Sequence, residues 1–229
     1  MVFDKLKRSG ILAPMHDSPW FRGLPPRLAS HWRLKLGWIP AFMAAFFASY
    51  FLVLNHPLVR VTTMPATALD FLVGFHPGAL ALYVSLWIYV LVPPALMDDT
   101  AELAVFALAA AALAVAGLAI FIVWPTAVPH WEIDWSRYAA FARLKTVDAA
   151  GNACPSLHAA FAVFSAVWIG RVLRRMQAPV LLRAVSVCWC AGILYSTIAT
   201  RQHVAVDLFA GAALGGIVAL LVRPPAAVS

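Results

Sequence analysis

The stretch Leu103–Trp124, LAVFALAAAALAVAGLAIFIVW, runs for 22 residues without a charge. A helix rising roughly 1.5 Å per residue covers about 30 Å over that length, the thickness of a bilayer's hydrocarbon core. Lipid offers no partner to backbone N–H and C=O groups, so a helix, which pairs them internally, is the form such a segment must take. Two more uncharged stretches lie upstream, Leu36–Leu54 and Pro77–Met97. Pro93-Pro94 is expected to kink or end the second, because proline removes a helical donor and crowds the preceding turn. Downstream, 157–174, 179–200 and 203–222 are also long enough to cross, but each carries polar or ionisable residues. Ionisable groups inside spans are rare and mark functional sites.

The composition of the whole chain agrees with this reading. Of 229 residues, 63% are hydrophobic and 12% charged, and the mean hydropathy is +0.83. A soluble domain carries about 25% charged residues, so an ordinary soluble enzyme, a disordered chain and a disulfide scaffold are all excluded. The net charge of +7 does not point to nucleic acid, since cytoplasmic loops of membrane proteins are rich in Lys and Arg. Cys188 and Cys190 fall on different sides of one apolar helix and Cys154 has no evident partner, so neither a disulfide nor a zinc site is expected.

Charge also sets the orientation. With the N-terminus inside, 12 of the 17 Lys and Arg fall on the inner side and 5 on the outer, while the 10 acidic residues divide evenly. The fold expected is all-α, an integral membrane bundle of six transmembrane helices, N-in/C-in. Residues 1–35, with seven basic residues among Trp20, Phe21 and Trp32, form a basic segment at the inner surface, not a cleaved signal peptide. Residues 36–223 form the six-span membrane domain and 224–229 a short tail. Gly211, Gly215 and Gly216 give the last span a small-xxx-small face for close packing.

In this topology the fourth and sixth spans both start at the outer face, and their first turns carry the chemistry. His158 opens the fourth, in Cys154-Pro155-Ser156-Leu157-His158. His203 and Asp207 open the sixth, four residues apart and so on one helical face. A carboxylate there can take the Nδ1 proton of the imidazole and free Nε2 as a nucleophile, while His158 can protonate a leaving group. Two helix N-termini with unpaired N–H groups suit a phosphate. Ser156, Ser196 and Thr200 add hydroxyls, and Arg201, Arg143 and Lys145 add outer-face cations. The chemistry this implies is phosphoryl or phosphodiester transfer through a phosphohistidine. Two other readings of the same residues stand beside it: polar tips at the headgroup level, and a facial metal triad of two histidines and a carboxylate.

At these residues the sequence resembles the type 2 phosphatidic acid phosphatase superfamily. Its members pair a Pro-Ser-Gly-His motif with Ser-Arg-x5-His-x3-Asp on six membrane spans. Here the first reads Pro155-Ser156-Leu157-His158, and the second Ser196-Thr197, five residues, His203, three residues, Asp207. The resemblance covers roughly 120–217. It implies His203 as nucleophile, Asp207 as its orienting partner, His158 as general acid, and neither metal nor cofactor. Leu157 stands where Gly is usual, Thr197 where Arg usually holds phosphate, and the family's early Lys-x6-Arg-Pro motif is not found. Pro-Ser-Leu-His and Gln-His-x3-Asp, with Trp124-Pro125-Thr126-Ala127-Val128-Pro129 upstream, look more like the inositol phosphorylceramide synthase branch, which moves a phospho-headgroup between lipids. A site short of guanidinium groups also fits the single charge of a diester better than the roughly −1.5 to −2 of a monoester. The expected partners are lipid substrates in the bilayer, with no nucleic acid. The expected place is the inner or plasma membrane of a bacterium, active face periplasmic or extracellular. The alternatives are hydrolysis of a lipid phosphate (phosphatidate or a polyprenyl phosphate or diphosphate) at the same site, and a non-catalytic lipid-binding protein.

Overall fold

The computed structural model describes residues 18–141 and 151–222. Two short helices, α1 (Pro19–Arg22) and α2 (Leu24–Ala29), lead into the long α3 (Trp32–Asn55). They are tied to the far end of the second apolar stretch. Arg27 pairs with Asp98 at 2.7 Å and also donates to the Leu96 carbonyl. The Lys35 ammonium donates to the carbonyls of Arg27 and Ala95. These bonds satisfy a lysine that is otherwise buried at the start of α3.

After α3 come a two-residue strand β1 (Thr62–Thr63) and α4 (Ala68–Val73). The second apolar stretch, expected as one span, is a helical path broken into pieces. A 3-10 turn at Pro77–Ala79 is followed by α5 (Leu80–Val84), α6 (Leu86–Tyr89) and α7 (Val92–Leu96). The last break has a covalent cause. Pro93 and Pro94 open α7 without N–H groups, so the carbonyls of Tyr89 and Val90 lack their helical donors. At the earlier break the Ser85 hydroxyl donates to the Leu82 carbonyl and accepts the indole N–H of Trp189.

The remaining helices are regular: α8 (Thr100–Val123), α9 (Leu157–Arg175), α10 (Val180–Ala199) and α11 (Ala205–Leu221). Asp99 caps α8 by accepting from the Ala101 N–H. Among the described residues, α3, α8, α9 and α10 are long and apolar enough to cross a membrane, while Pro77–Tyr89 and α11 are shorter apolar helices. At 17 residues α11 covers about 26 Å. All six apolar stretches are thus helical, and four meet the length of a full span.

α9 sits at the centre, packed against α8, α10 and α11, with Phe164 and Trp168 fully buried in the core. Its contact with α11 is backbone on backbone. A Cβ added to Gly211 would overlap the Ser156 carbonyl, and one on Gly215 the Ala160 carbonyl. The small-residue pattern therefore packs α11 directly onto α9. At the other end of this pair, Arg171 donates to the carbonyls of Ala219 and Val222, the last acceptors of α11. Where α9 and α11 begin, a small sheet closes the bundle. β1 runs parallel to β2 (Thr126–Ala127), with Thr62 opposite Thr126, and Ala127 bridges to Gly151.

Candidate active site

The sheet at the head of the bundle fixes one short segment, Gly151 to Ser156. The Ala153 N–H donates to the Thr126 carbonyl at 3.2 Å, and the Cys154 N–H to the Thr126 hydroxyl at 2.7 Å. The peptide before Pro155 is cis. The Ser156 hydroxyl then caps α9 by accepting the Ala159 N–H, and the Ser156 N–H donates to the Asp207 carbonyl at 2.9 Å. That last bond joins the first turns of α9 and α11, so two residues 49 positions apart in the chain, His158 and Asp207, start from one anchored point.

His203 precedes α11, and its Nδ1 lies 3.1 Å from the Ala153 carbonyl. A carbonyl only accepts, so Nδ1 carries the proton and Nε2 keeps its lone pair. Asp207 Oδ2 lies farther from Nδ1, at 3.7 Å, and accepts the Val204 N–H at 3.0 Å. The structure thus divides between two groups the role the sequence assigns to Asp207 alone. The Ala153 carbonyl sets the tautomer, and the fully buried carboxylate supplies negative charge behind the ring. Asp207 Oδ1 has no hydrogen-bond partner among the described atoms. The neighbouring Cys154 thiol is pushed up to about 11 by burial and by the Asp207 charge, so it stays protonated at neutral pH.

His158 lies within the first turn of α9, its ring stacked on Tyr83 of α5 with centroids 3.9 Å apart and planes 9° from parallel. Its Nε2 is 2.9 Å from the Tyr83 carbonyl, which again makes that nitrogen the donor. His158 and His203 line the same cavity of about 660 Å³, together with Asn152. The structure therefore gathers His158, His203 and Asp207, which the sequence singles out on two separate spans.

The other expected phosphate ligands are placed differently. Ser156 is fully buried as the cap of α9, with its hydroxyl occupied. The Ser196 hydroxyl donates to the Ile193 carbonyl, and that of Thr200 to Ser196, inside α10. Arg201 is held by α4: it donates to the Asp70 carbonyl at 2.9 Å, and its guanidinium lies 3.9 Å over the Trp131 ring. Burial lowers its pKa, opposed by the Asp70 charge. Neither Ser196 nor Arg201 lines the cavity. Arg143 and Lys145 lie outside the described residues.

Sequence reasoning passed over four contributors: Ala153, Tyr83, Asn152 and Asp70. The first two act through backbone carbonyls, which no residue type announces. Asn152, with φ 50, turns the chain at the cavity wall in a conformation Asn tolerates, a signal that could have been read. Asp70 is fully buried and accepts from the Thr67 N–H and hydroxyl and from the Ala205 N–H. It thereby clamps α4 to the start of α11. A lone buried carboxylate in an apolar stretch is its sequence signature.

No curated protein and no solved structure was found to match the chain. The family model described as the PAP2 superfamily matches residues 100–224, which is more than half of the 229 residues and includes both histidines and Asp207. A membrane-type helical chain whose two histidines and buried aspartate fall within that match belongs to the PAP2 superfamily.

Proposed function

We propose that this protein is a metal-independent lipid phosphotransferase that moves a phospho-headgroup from one lipid to another through a phosphohistidine. What carries this reading is the pairing of a histidine whose Nδ1 is held by a carbonyl with a second histidine across an apolar cavity. His203 Nε2 attacks phosphorus and the bond to the leaving lipid oxygen breaks. His158 enters the cycle protonated on both nitrogens: Nε2–H stays on the Tyr83 carbonyl, and the Nδ1 proton passes to that oxygen. The imidazole becomes cationic as the N–P bond forms, and the Asp207 carboxylate at 3.7 Å stabilises that charge. In the second half a lipid hydroxyl attacks phosphorus, its proton passes to His158, and the N–P bond breaks.

The acceptor distinguishes transfer from hydrolysis. Walls made of rings and aliphatic side chains favour a lipid alcohol over water at the phosphohistidine. The Pro-Ser-Leu-His and Gln-His-x3-Asp variants, which resemble those of the inositol phosphorylceramide synthase branch, support the same reading. The excess of Lys and Arg on the proposed inner side supports a site at the outer membrane face, which in a bacterium is periplasmic or extracellular.

The test is a product analysis. Purified protein is incubated with a mixed lipid extract, with and without an added lipid alcohol and with and without chelator. A new phospholipid that depends on the alcohol and survives chelation is the expected result. Free phosphate as the only product would make the protein a phosphatase, and loss of activity on chelation would favour the metal-triad chemistry. A labelled phosphoryl group trapped on His203 identifies the nucleophile; no turnover of any lipid would overturn the enzymatic reading.

A further inference from the structure

The cavity that holds the two histidines continues far beyond them. It follows α3 from Phe51 back to Trp38, about 20 Å of helix. At the end farthest from the histidines it is lined by Trp38, Leu91 and Pro94. There Trp38 packs edge-on to Phe106 with ring centroids 6.5 Å apart, which forms a floor.

Its proportions are those of a chain. A volume of about 660 Å³ over about 20 Å leaves a mean cross-section of roughly 30 Å², which suits a single extended hydrocarbon chain. An apolar slot of this size forfeits the dispersion contacts of its walls unless something apolar fills it. The slot is also longer than the roughly 15 Å of half a hydrocarbon core. A lipid with its phosphate at the histidines must therefore send its chain past the bilayer midplane to reach Trp38.

We propose that this slot seats one hydrocarbon chain of the phosphate-bearing lipid, and that Trp38 and Leu91 set the chain length the protein prefers. The identity of the headgroup rests on the phosphotransfer reading above; the slot does not.

Monoacyl glycerophospholipids of one headgroup, phosphodiesters with octanoyl, lauroyl, palmitoyl and stearoyl chains at equal mole fraction in mixed micelles with a lipid alcohol, test the preference. The expected result is a kcat/KM that rises about tenfold or more from the shortest to the longest chain, as remote contacts are used in the transition state. Trp38→Ala should move the preference toward longer chains and Leu91→Trp toward shorter ones. The readout is the ratio between chain lengths, so a loss of folded protein cancels. A profile that neither variant shifts would overturn the assignment.

A palmitoyl glycerol phosphate with a diazirine at the chain terminus gives a measurement that needs no turnover. Label at Trp38, Leu91 and their neighbours is expected. Label spread over outward-facing residues such as Leu52 and Leu108 overturns the slot even if turnover is intact. A protein that turns over no phosphodiester or phosphomonoester lipid but is labelled at the floor refutes the phosphotransfer reading and keeps the slot.

Discussion

α9 and α11 meet so closely that a Cβ on Gly211 or Gly215 would overlap a backbone carbonyl. α3 touches its neighbours mainly through aromatic rings, such as Phe46 on Phe161 at 5.9 Å, and leaves a cavity of about 660 Å³ beside α5, α6 and α7. The burial of the two helices differs in the same sense. In its most apolar window α9 is 56% buried, whereas the corresponding window of α3 holds no buried residue. Chemistry at phosphorus needs nitrogens and a carboxylate held to within fractions of an ångström, which backbone contact and short hydrogen bonds supply. A lipid that enters from the bilayer needs a wall that can yield, which ring contacts and a broken helix supply. On the proposed phosphotransfer, one side of the bundle supplies position and the other access.

This contrast can be tested from its strongest point downward. His203→Ala removes the proposed nucleophile from the rigid side, and a loss of turnover on the order of 10⁴ or more is expected, by analogy with nucleophile deletions in other covalent enzymes. Asp207→Asn keeps the shape and removes the charge, so a loss of about 10³ is expected, with KM for the lipid little changed. Both are read by initial rates on protein of native thermal stability. Full activity in His203→Ala would remove the basis for the mechanism.

The next effect compares one substitution on the two sides. Gly215→Ala drives a methyl into the Ala160 carbonyl, and destabilisation of about 3 kcal/mol is expected, the upper end for overpacking. Gly37→Ala meets nothing within 4 Å on α3 and should be neutral or stabilising by about 0.5–1 kcal/mol. Thermal unfolding in detergent measures both, and equal shifts would show that the two interfaces are equally tolerant.

The smallest effect lies at the foot of the open side. Arg27→Ala deletes the 2.7 Å pair with Asp98 and a bond to the Leu96 carbonyl. Both partners are partly exposed, so about 1 kcal/mol is expected. Limited proteolysis between α2 and α3 should report it as faster cleavage, with little change in turnover.

Much of this contrast is visible before folding is considered. The four long helices follow from apolar length alone, because lipid leaves no other outlet for backbone hydrogen bonds. The Gly211/Gly215 face follows from helical spacing, whereas His203 lies in the turn ahead of α11, so its approach to Asp207 is set by that turn and not by a shared helical face. The second apolar stretch was legible as membrane sequence but not as a broken path. Pro93-Pro94 accounts for one break, whereas at the Ser85 break the hydroxyl accepts from Trp189 of another helix, a contact the local sequence does not announce. Arg201 was legible only as a cation. Its partners, Asp70 and Trp131, are remote in sequence and draw it away from the cavity.

The sequence by itself determined the solvent of this protein, its helical class, and the two histidines and one carboxylate to which the proposed chemistry is assigned. These rest on residue type and on a fixed helical period, which are properties of the chain. Only the tertiary structure decided that a backbone carbonyl at Ala153 holds the His203 proton, that His158 lies on Tyr83, and that an apolar slot runs from them to Trp38. Every residue carries a carbonyl and most of these spans carry aromatic rings. Which of them meets a given imidazole is fixed by how helices distant in sequence pack together.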